Sequence, residues 1–365
     1  MEYVQERVAT LHDFGGAAPA APLDRTTVVV PLTARDQASL AAEHVLTTLD
    51  DVAPGSVLVA LRADADRVAS VREWVESLGV DAELLWCNAP PVEALLADHG
   101  LGGPAGKGRD VWLALGVAAT LGEFVVVHDA DATTYGPEHV PRLCFPLARE
   151  YSFVKGYYAR VENDRLYGRL CRLFYEPAVA ALDEISDASV VDYLGAFRYG
   201  LAGEFAATSD VVRGLRAQRG WGLEVGTLGE AFAAAGFSGT AQVDLGVHEH
   251  DHRAVGGPAG LSDMADEVAD ALFRVLADAD VRVDYDSLCE RYRETARRYV
   301  DQYALDAAFN GLDFDREGER DQVDAYAEAI GPPGEDQRLP AWAETELSAA
   351  AVRTAARDAL GRKNE

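Results

Sequence analysis

GEFVVVHDADATTY, residues 122–135, places two carboxylates directly behind a short apolar run. The run from Phe124 to Val127 is too short and too rich in β-branched residues for a helix of its own, so it predicts a buried strand. Asp129 and Asp131 follow at the carboxyl end of that strand. In an open α/β sheet, ligands bind at the carboxyl ends of the strands. The stretch therefore predicts both a buried strand and a ligand site beside it.

Paired carboxylates at such an edge are hard oxygen ligands suited to Mg²⁺ or Mn²⁺ that carries a diphosphate. This chemistry suggests a nucleotide-sugar site. The Asp-x-Asp pattern is weak evidence alone, because Asp64-Ala65-Asp66 and Asp278-Ala279-Asp280 show it too. The triplet at 129 differs by following a hydrophobic strand, and a solvated loop remains the alternative interpretation.

The first part of the chain predicts a mostly parallel sheet flanked by helices. Strands are expected over Thr26–Val30, where Pro31 ends the run, and over Ser56–Leu61 and Ala82–Trp86. Helical spacing of apolar residues separates them, and the order β-α-β-α-β favours a Rossmann-like α/β fold. Neither GxGxxG nor GxxxxGK[ST] occurs in this region, which disfavours dinucleotide enzymes and P-loop NTPases.

The chain of 365 residues carries a formal net charge of −28, and its lysines are limited to Lys107, Lys155 and Lys363. Such a surface repels nucleic acid and anionic membranes, so a local cluster of donors must hold any anionic substrate. Few lysines beside many carboxylates resemble the surfaces of proteins from salt-loving archaea. With no apolar run of about 18 residues and no secretory leader, we expect a cytoplasmic protein without a membrane segment.

The four cysteines are scattered without a CxxC pair, which argues against a zinc cluster. Residues 1–24 end in an Ala/Pro-rich run and predict a lead-in segment, with the fold beginning after it. A flexible GGPAGKG loop, residues 102–108, precedes an expected helix. Lys107 near that helix start can contact a phosphate, and a mobile surface loop is the alternative.

Three arginines, Arg165, Arg169 and Arg172, recur at helical spacing, so we expect them on one face of a helix. They suit either a salt-bridged surface or a phosphate or carboxylate of an acceptor. Glu204 and Glu224 each lie amid glycines and apolar residues, where a buried carboxylate is costly unless it is paired or functional.

A predicted strand over Ala241–Val247 runs into three histidines, His248, His250 and His252. Neutral imidazole is a good ligand for a divalent metal, and a solvated loop is again the alternative.

Taken in order, several motifs resemble the GT-A-fold retaining glycosyltransferases that make glucosyl-3-phosphoglycerate and their mannosyl-3-phosphoglycerate relatives. The resemblance covers roughly residues 26–253, and the combination in order is specific although each motif alone is weak. The motifs are VVVPL, AGKG, VVVHDAD, FVKGYY, GRL followed by EP, LAGEFAAT, GWGLEVGTL and QVDLGVHEH. The resemblance implies a GT-A domain over 25–255, and homodimers are common in that family. Past residue 253 the resemblance fades, and helical runs there predict a helical C-terminal extension over 256–365.

The resemblance also implies site residues. Asp131 and His250 would hold Mg²⁺ or Mn²⁺ with Asp129 beside them, and Lys107 would contact the donor diphosphate while Glu224 faces the sugar hydroxyls. The implied donor contacts are Pro31, Leu32, Thr33, Lys107, Asp129 and Ala130. The usual acidic run after Thr33 is replaced here by Ala34-Arg35-Asp36, which leaves UDP and GDP open as the donor base.

For the acceptor, Gly168 and Arg169 match the family's motif that binds the phosphate of a phosphoglycerate. A threonine expected two residues later is Cys171, followed by Arg172, so either Arg172 substitutes or the acceptor is not 3-phosphoglycerate. The expected activity is metal-dependent transfer of a hexose to a small anionic acceptor. The alternatives are a different acceptor, such as a lipid phosphate or another hydroxylated anion, and a non-catalytic nucleotide-sugar-binding subunit.

Overall fold

A computed structural model of the chain describes residues 6–251 and 258–361. Ten strands are described: β1 (Ala9–Leu11), β2 (Thr26–Thr33), β3 (Ser56–Arg62), β4 (Ala82–Trp86), β5 (Phe124–Val127), β6 (Phe153–Ala159), β7 (Val161–Glu162), β8 (Arg165–Leu166), β9 (Phe205–Thr208) and β10 (Thr240–Val247). The α-helices preceding the last histidines are α1 (Leu40–Val52), α2 (Val68–Ser77), α3 (Pro90–Asp98), α4 (Lys107–Ala118), α5 (His139–Leu147), α6 (Glu176–Asp183), α7 (Ser189–Leu194), α8 (Ser209–Gly214) and α9 (Leu223–Ala235). The C-terminal helices are α10 (Pro258–Asp278), α11 (Tyr285–Asn310), α12 (Arg316–Tyr326) and α13 (Ala349–Ala359).

Eight of these strands form one sheet in the order β1-β10-β6-β9-β5-β2-β3-β4, and only β9 runs antiparallel to its neighbours. Its central strands are mostly buried, and β5 is buried along its whole length. Strands covered by helices on both faces read as continuous apolar runs, which is why this pattern was visible in the sequence. The predicted α/β sheet flanked by helices is confirmed.

The N-terminal segment is not only a lead-in. β1 adds a parallel edge strand to β10, with Ala9 opposite Ala241, and Val8 beside it is buried. The prediction that the fold begins after residue 24 was therefore wrong for this segment. Three residues give too little periodicity to be recognised, and the pairing partner lies at the far end of the domain.

Pro31 does not end its strand. β2 continues to Thr33 and pairs with β3 over its whole length, whereas its pairing with β5 stops at Val29. Beyond Val29 one side of the strand has no ladder partner in this sheet, so a residue without an N–H group is tolerated there.

The three arginines do not share a helical face. Arg165 lies in β8 of a small hairpin, while Arg172 belongs to a π-helical turn, Leu170–Tyr175, that leads into α6. The helical-stripe prediction was wrong because spacing alone does not distinguish a hairpin followed by a turn from a continuous helix.

The C-terminal region is helical, as expected, and packs on the sheet domain. The indole rings of Trp342 and Trp112 in α4 stack with centroids 4.5 Å apart, and Trp342 Nε1 donates to the Trp112 carbonyl over 2.7 Å. The predicted boundary between residues 255 and 256 lies outside the described residues. In the part of the chain that the structure describes, no helix is long and apolar enough to cross a bilayer.

Candidate active site

Two loops meet at the carboxyl edge of the sheet and build the centre of the site. The loop after β5 and the loop after β10 pair antiparallel, with Ala132 opposite His250. The amide of Asp251 donates to the Asp131 carbonyl over 2.9 Å, and the amide of Thr133 donates to the Glu249 carbonyl over 2.8 Å. This backbone pairing brings two segments that are distant in sequence to the same place.

The pairing gathers three groups able to hold a metal ion. One ligand atom from each of Asp129, Asp131 and His250 lies within 4.8 Å of the others. His250 Nε2 is 3.9 Å from Asp131 Oδ1. The three metal ligands predicted from the sequence therefore lie together in the structure. Among the described residues, no other group of three His, Cys, Asp or Glu side chains converges in this way.

The electrostatics of these groups fit a divalent cation. Burial lowers the pKa of His250 to about 2, with His248 and Arg160 adding to the shift, so its imidazole is neutral and keeps a lone pair. Burial and the neighbouring Asp129 charge raise the pKa of Asp131 to about 7. Asp131 Oδ1 and His250 Nδ1 are buried without a hydrogen-bond partner among the described residues. A cation would satisfy the unpaired Asp131 oxygen and offset the repulsion between the two carboxylates.

Lys107 joins this centre from α4. Its Nζ atom lies 2.8 Å from Asp129 Oδ1 and 3.1 Å from Glu224 Oε1. Burial acts to lower the pKa of Lys107, but the charges of the two carboxylates outweigh it and raise the pKa. Burial likewise acts to raise the pKa of Asp129, and the Lys107 ammonium outweighs it and lowers that pKa. The lysine is therefore a fixed positive charge between two carboxylates.

Glycines allow the segments that carry Lys107 and Glu224 to approach. A Cβ atom on Gly108 in α4 would lie 1.9 Å from the Gln218 carbonyl oxygen, and one on Gly106 would lie 2.3 Å from the Arg219 carbonyl oxygen. The loop before α9 thus passes directly over the start of α4. Glu224 lies in the first turn of α9, close enough to reach Lys107.

The expected nucleoside contacts lie beside the metal group. Thr33 at the end of β2 donates through its amide and hydroxyl to Asp36 Oδ2, over 2.7 and 2.8 Å. Ser39 Oγ donates to Asp251 Oδ2 over 3.0 Å, which ties this loop to the segment of His250. Leu32 and Ala130 are buried, so only the backbone of these two residues is suited to contact a donor.

The acceptor residues expected from the sequence differ in exposure and in the partners that they contact. The Gly168 backbone adopts a left-handed φ of 74°. Arg169 beside it is 44 % exposed, and its Nε atom lies 3.8 Å from Glu319 Oε1. Arg172 is buried, and its Nη1 and Nη2 atoms donate to both carboxylate oxygens of Glu319 in α12, over 3.0 and 2.8 Å. The expectation that Arg172 binds an acceptor is corrected, because its charge is already neutralised by a buried carboxylate.

His248, whose role the sequence left open, is not one of the three converging side chains among the described residues. His248 is buried and stacks on Tyr158 with ring centroids 4.1 Å apart. Its ring also meets that of His250 edge-on at 4.4 Å, so it supports the orientation of the candidate ligand. His252 lies outside the described residues.

Three neighbours of the site were missed or misread. Gly203 lies against Asp129, since a Cβ atom there would be 2.3 Å from Oδ2. Glu204 directly precedes β9, and burial raises its pKa to about 7. Arg160 follows β6 at the same edge of the sheet. Its position one residue past a buried strand was the sequence signal that could have revealed it.

No protein-family model matches the chain. A curated relative, glucosyl-3-phosphoglycerate synthase of Methanococcoides burtonii, is 31 % identical over 378 residues, covering 94 % of this chain and 93 % of the relative. The protein of the same name from Persephonella marina is 33 % identical over 285 residues, covering 74 % and 70 %.

Among solved structures, glucosyl-3-phosphoglycerate synthase of Mycobacterium tuberculosis in complex with Mn²⁺, UDP and phosphoglyceric acid superposes with a TM-score of 0.55. It is 23 % identical, and the match covers 76 % of this chain and 88 % of that one. At this identity the likeness supports the fold.

Proposed function

Because the chain belongs to the family of glucosyl-3-phosphoglycerate synthases, we propose that it transfers glucose from a nucleotide-sugar donor to 3-phosphoglycerate with the help of a divalent cation. The observation that carries this proposal is the convergence of Asp129, Asp131 and His250 at the carboxyl edge of the sheet, with Lys107 directly beside them. The family relationship supplies the reaction, and the site supplies the groups that the reaction needs.

Asp131 and His250 are proposed to hold Mg²⁺ or Mn²⁺, with Asp129 as a further carboxylate beside them. When bound, the cation supplies charge neutralisation of the donor diphosphate. Lys107 adds a second positive charge that stabilises the leaving diphosphate. To contact the donor, its ammonium would exchange part of its contact with Asp129 for phosphate oxygens.

The remaining residues position the two substrates. We propose that Pro31, Leu32 and Thr33 contact the nucleoside mainly through their backbone, and that Ala130 does so beside the carboxylates. Glu224, held by Lys107, orients the sugar hydroxyls. Arg169 receives the anionic end of the acceptor next to the Gly168 backbone, so that the acceptor hydroxyl is held beside the departing phosphate.

The donor base is the finer part of the proposal. UDP-glucose is the proposed donor, since the curated relatives are named for glucosyl transfer and the Mycobacterium tuberculosis structure contains UDP. The replacement of the acidic run by Ala34-Arg35-Asp36 makes GDP-glucose the competing donor to be tested.

Incubation of the purified protein with Mn²⁺, 3-phosphoglycerate and a panel of UDP- and GDP-hexoses, followed by mass analysis, tests this function. Formation of a glucosylated phosphoglycerate is the expected result. Donor hydrolysis without that product would indicate another acceptor. Binding of the donor without either reaction would favour a subunit that binds nucleotide sugars but does not turn them over.

The acidic surface supports a second, narrower proposal, namely that the protein works in concentrated salt. An excess of 28 carboxylates over basic groups repels itself at low ionic strength and is screened as salt rises. Transfer activity and thermal stability are expected to increase with KCl concentration. A maximum of both in dilute buffer would contradict this proposal.

A further inference from the structure

Arg160 lies directly after β6 at the edge of the sheet that carries the metal group, and its side chain is 17 % exposed. Its Nη2 atom donates to Glu162 Oε1 over 3.2 Å. Its guanidinium also neighbours the Tyr199 side chain, where its charge acts against the burial that raises the pKa of Tyr199. Its Nε atom is buried and has no hydrogen-bond partner among the described residues. The side chain as a whole is still partly exposed, so the guanidinium can face a ligand.

The neighbours of Arg160 place it between the candidate metal ligand His250 and the expected acceptor residue Gly168. Glu162 Oε1 also accepts a hydrogen bond from the His250 amide, over 3.4 Å, on the side of the metal group. On the other side, the Tyr199 hydroxyl lies 2.5 Å from the position that a Cβ atom of Gly168 would take. Glu162 thus contacts the backbone of His250, a proposed metal ligand. Tyr199 lies against Gly168, which is expected to contact the acceptor.

The backbone fixes this arrangement. The Arg160 carbonyl accepts a hydrogen bond from the Tyr167 amide over 2.9 Å, which closes the hairpin formed by β7 and β8. Gly168 and Arg169 follow immediately after that hairpin. The hairpin therefore separates Arg160 at its start from Arg169, which lies two residues beyond its closing Tyr167.

Two other guanidiniums near the site are buried and held by carboxylates, whereas Arg169 is 44 % exposed and lies 3.8 Å from Glu319. Arg172 is held by both oxygens of Glu319, and Arg109 is buried beside Glu93 and Asp110. Arg160 has one carboxylate contact through a single nitrogen and lies close enough to the metal group to contribute to the lowered pKa of His250. In a protein with this excess of negative charge, an anionic acceptor needs such a local positive group.

We propose that Arg160 acts with Arg169 to bind the anionic acceptor, taking the role that the sequence suggested for Arg172. This inference rests on the proposed function and names a specificity-determining residue for it. The guanidinium fork recognises a phosphate or carboxylate of a small hydroxy acid by paired hydrogen bonds. Tyr199 and Glu162 keep the side chain oriented toward the space between Gly168 and His250.

The test compares wild-type protein with Arg160→Gln, Arg160→Lys and the control Arg165→Gln, whose side chain is 65 % exposed on the same hairpin. Loss of a charged hydrogen-bonding partner is expected to raise the KM and the Kd for 3-phosphoglycerate roughly 10- to 100-fold in Arg160→Gln. Affinity for UDP with Mn²⁺, measured by calorimetry, is expected to stay unchanged. Arg160→Lys should lose less, and Arg165→Gln should match wild type.

Two analogues identify the acceptor group that Arg160 contacts. Glycerol 3-phosphate lacks the carboxylate and glycerate lacks the phosphate. Whichever analogue binds wild type and Arg160→Gln equally is the one that lacks the contacted group. Equal 3-phosphoglycerate affinity in the wild type and both Arg160 variants would overturn the inference, as would a parallel loss of UDP affinity in properly folded Arg160→Lys.

The binding measurements separate this inference from the proposed function. If wild type binds 3-phosphoglycerate through Arg160 but forms no glucosylated product, the proposed reaction fails and the assignment of Arg160 stands. If wild type forms the product and the Arg160 variants bind the acceptor normally, the reaction stands and the assignment fails. If wild type neither binds nor glucosylates 3-phosphoglycerate, both fail.

Discussion

The Nε2 atom of His250 lies 3.9 Å from Oδ1 of Asp131, although the two residues belong to loops that follow different strands of the sheet. The backbone pairing of those loops sets this distance and does not depend on the side chains themselves. Substitution of either side chain should therefore remove a proposed metal ligand and leave the loops in place.

Asp131→Ala is expected to lower transfer activity by about 100- to 1,000-fold or more, because the diphosphate loses part of its charge neutralisation. Isothermal titration with Mn²⁺ and UDP should show weakened metal binding at an unchanged melting temperature. Asp66→Ala is the matched control, since Asp66 belongs to an exposed Asp-Ala-Asp triplet elsewhere. Full activity of Asp131→Ala would remove the metal assignment.

Lys107→Met tests the fixed positive charge of the site. The substitution leaves Asp129 and Glu224 without their shared cation and removes the proposed contact to the leaving diphosphate. We expect kcat to fall by about 100-fold or more, with a smaller change in the KM for 3-phosphoglycerate. Steady-state kinetics with each substrate varied in turn measure both values, and an effect on the acceptor KM alone would contradict the assignment.

Gly203→Ala tests the close approach of the backbone to Asp129. The new Cβ atom would lie 2.3 Å from Asp129 Oδ2, so the carboxylate must move. Displacement of a positioned group by about 1 Å can reduce turnover by roughly 100-fold, and we expect a loss of that order. Gly214→Ala at the end of α8 is the control, because nothing lies within 4 Å of its added Cβ. Similar kinetics for the two variants would refute this explanation of Gly203.

Trp342→Ala tests how the C-terminal region supports the helix that begins with Lys107. The variant loses the stack on Trp112 and the hydrogen bond to the Trp112 carbonyl. Removing a buried tryptophan is expected to lower the free energy of unfolding by about 3–5 kcal/mol. Urea denaturation measures this loss. Phe309→Ala, at a side chain that is 90 % exposed, should change stability very little.

Lys155 provides a test of pH dependence. Its Nζ atom is buried and donates to the Ala202 carbonyl over 2.5 Å. Burial lowers the pKa of Lys155 to about 8, against 10.5 for an ordinary lysine. Between these values the unfolded chain holds more protons than the folded chain, so raising the pH through this interval stabilises the fold.

Relative to Lys155→Met, the free energy of unfolding of the wild type should therefore rise by at most about 1.4 kcal/mol per pH unit across that interval. Below about pH 8, the difference in the free energy of unfolding between wild type and Lys155→Met should not change with pH. Urea titrations at several pH values measure it, and a difference that does not change with pH would show that this ammonium is not destabilised by the fold.

Much of the architecture could be predicted because local patterns of apolar residues and glycines determine it. The apolar runs of β2, β3 and β5 identify strands covered on both faces, and Asp129 and Asp131 directly follow one of them. The position of Lys107 at a helix start is equally local, since a glycine-rich loop precedes an apolar helix. The order of the motifs along the chain indicated the family.

What the sequence by itself determined was therefore the α/β sheet, the position of the acidic pair at a strand end and the candidate ligands along the chain. The family resemblance had already paired Asp131 with His250. Only the tertiary structure decided that Lys107 meets Glu224 and that Arg172 meets Glu319 instead of a substrate. The physical reason is that these pairs join segments far apart in the chain. Their contact depends on strand order, loop pairing and helix packing, which no local pattern of residues contains.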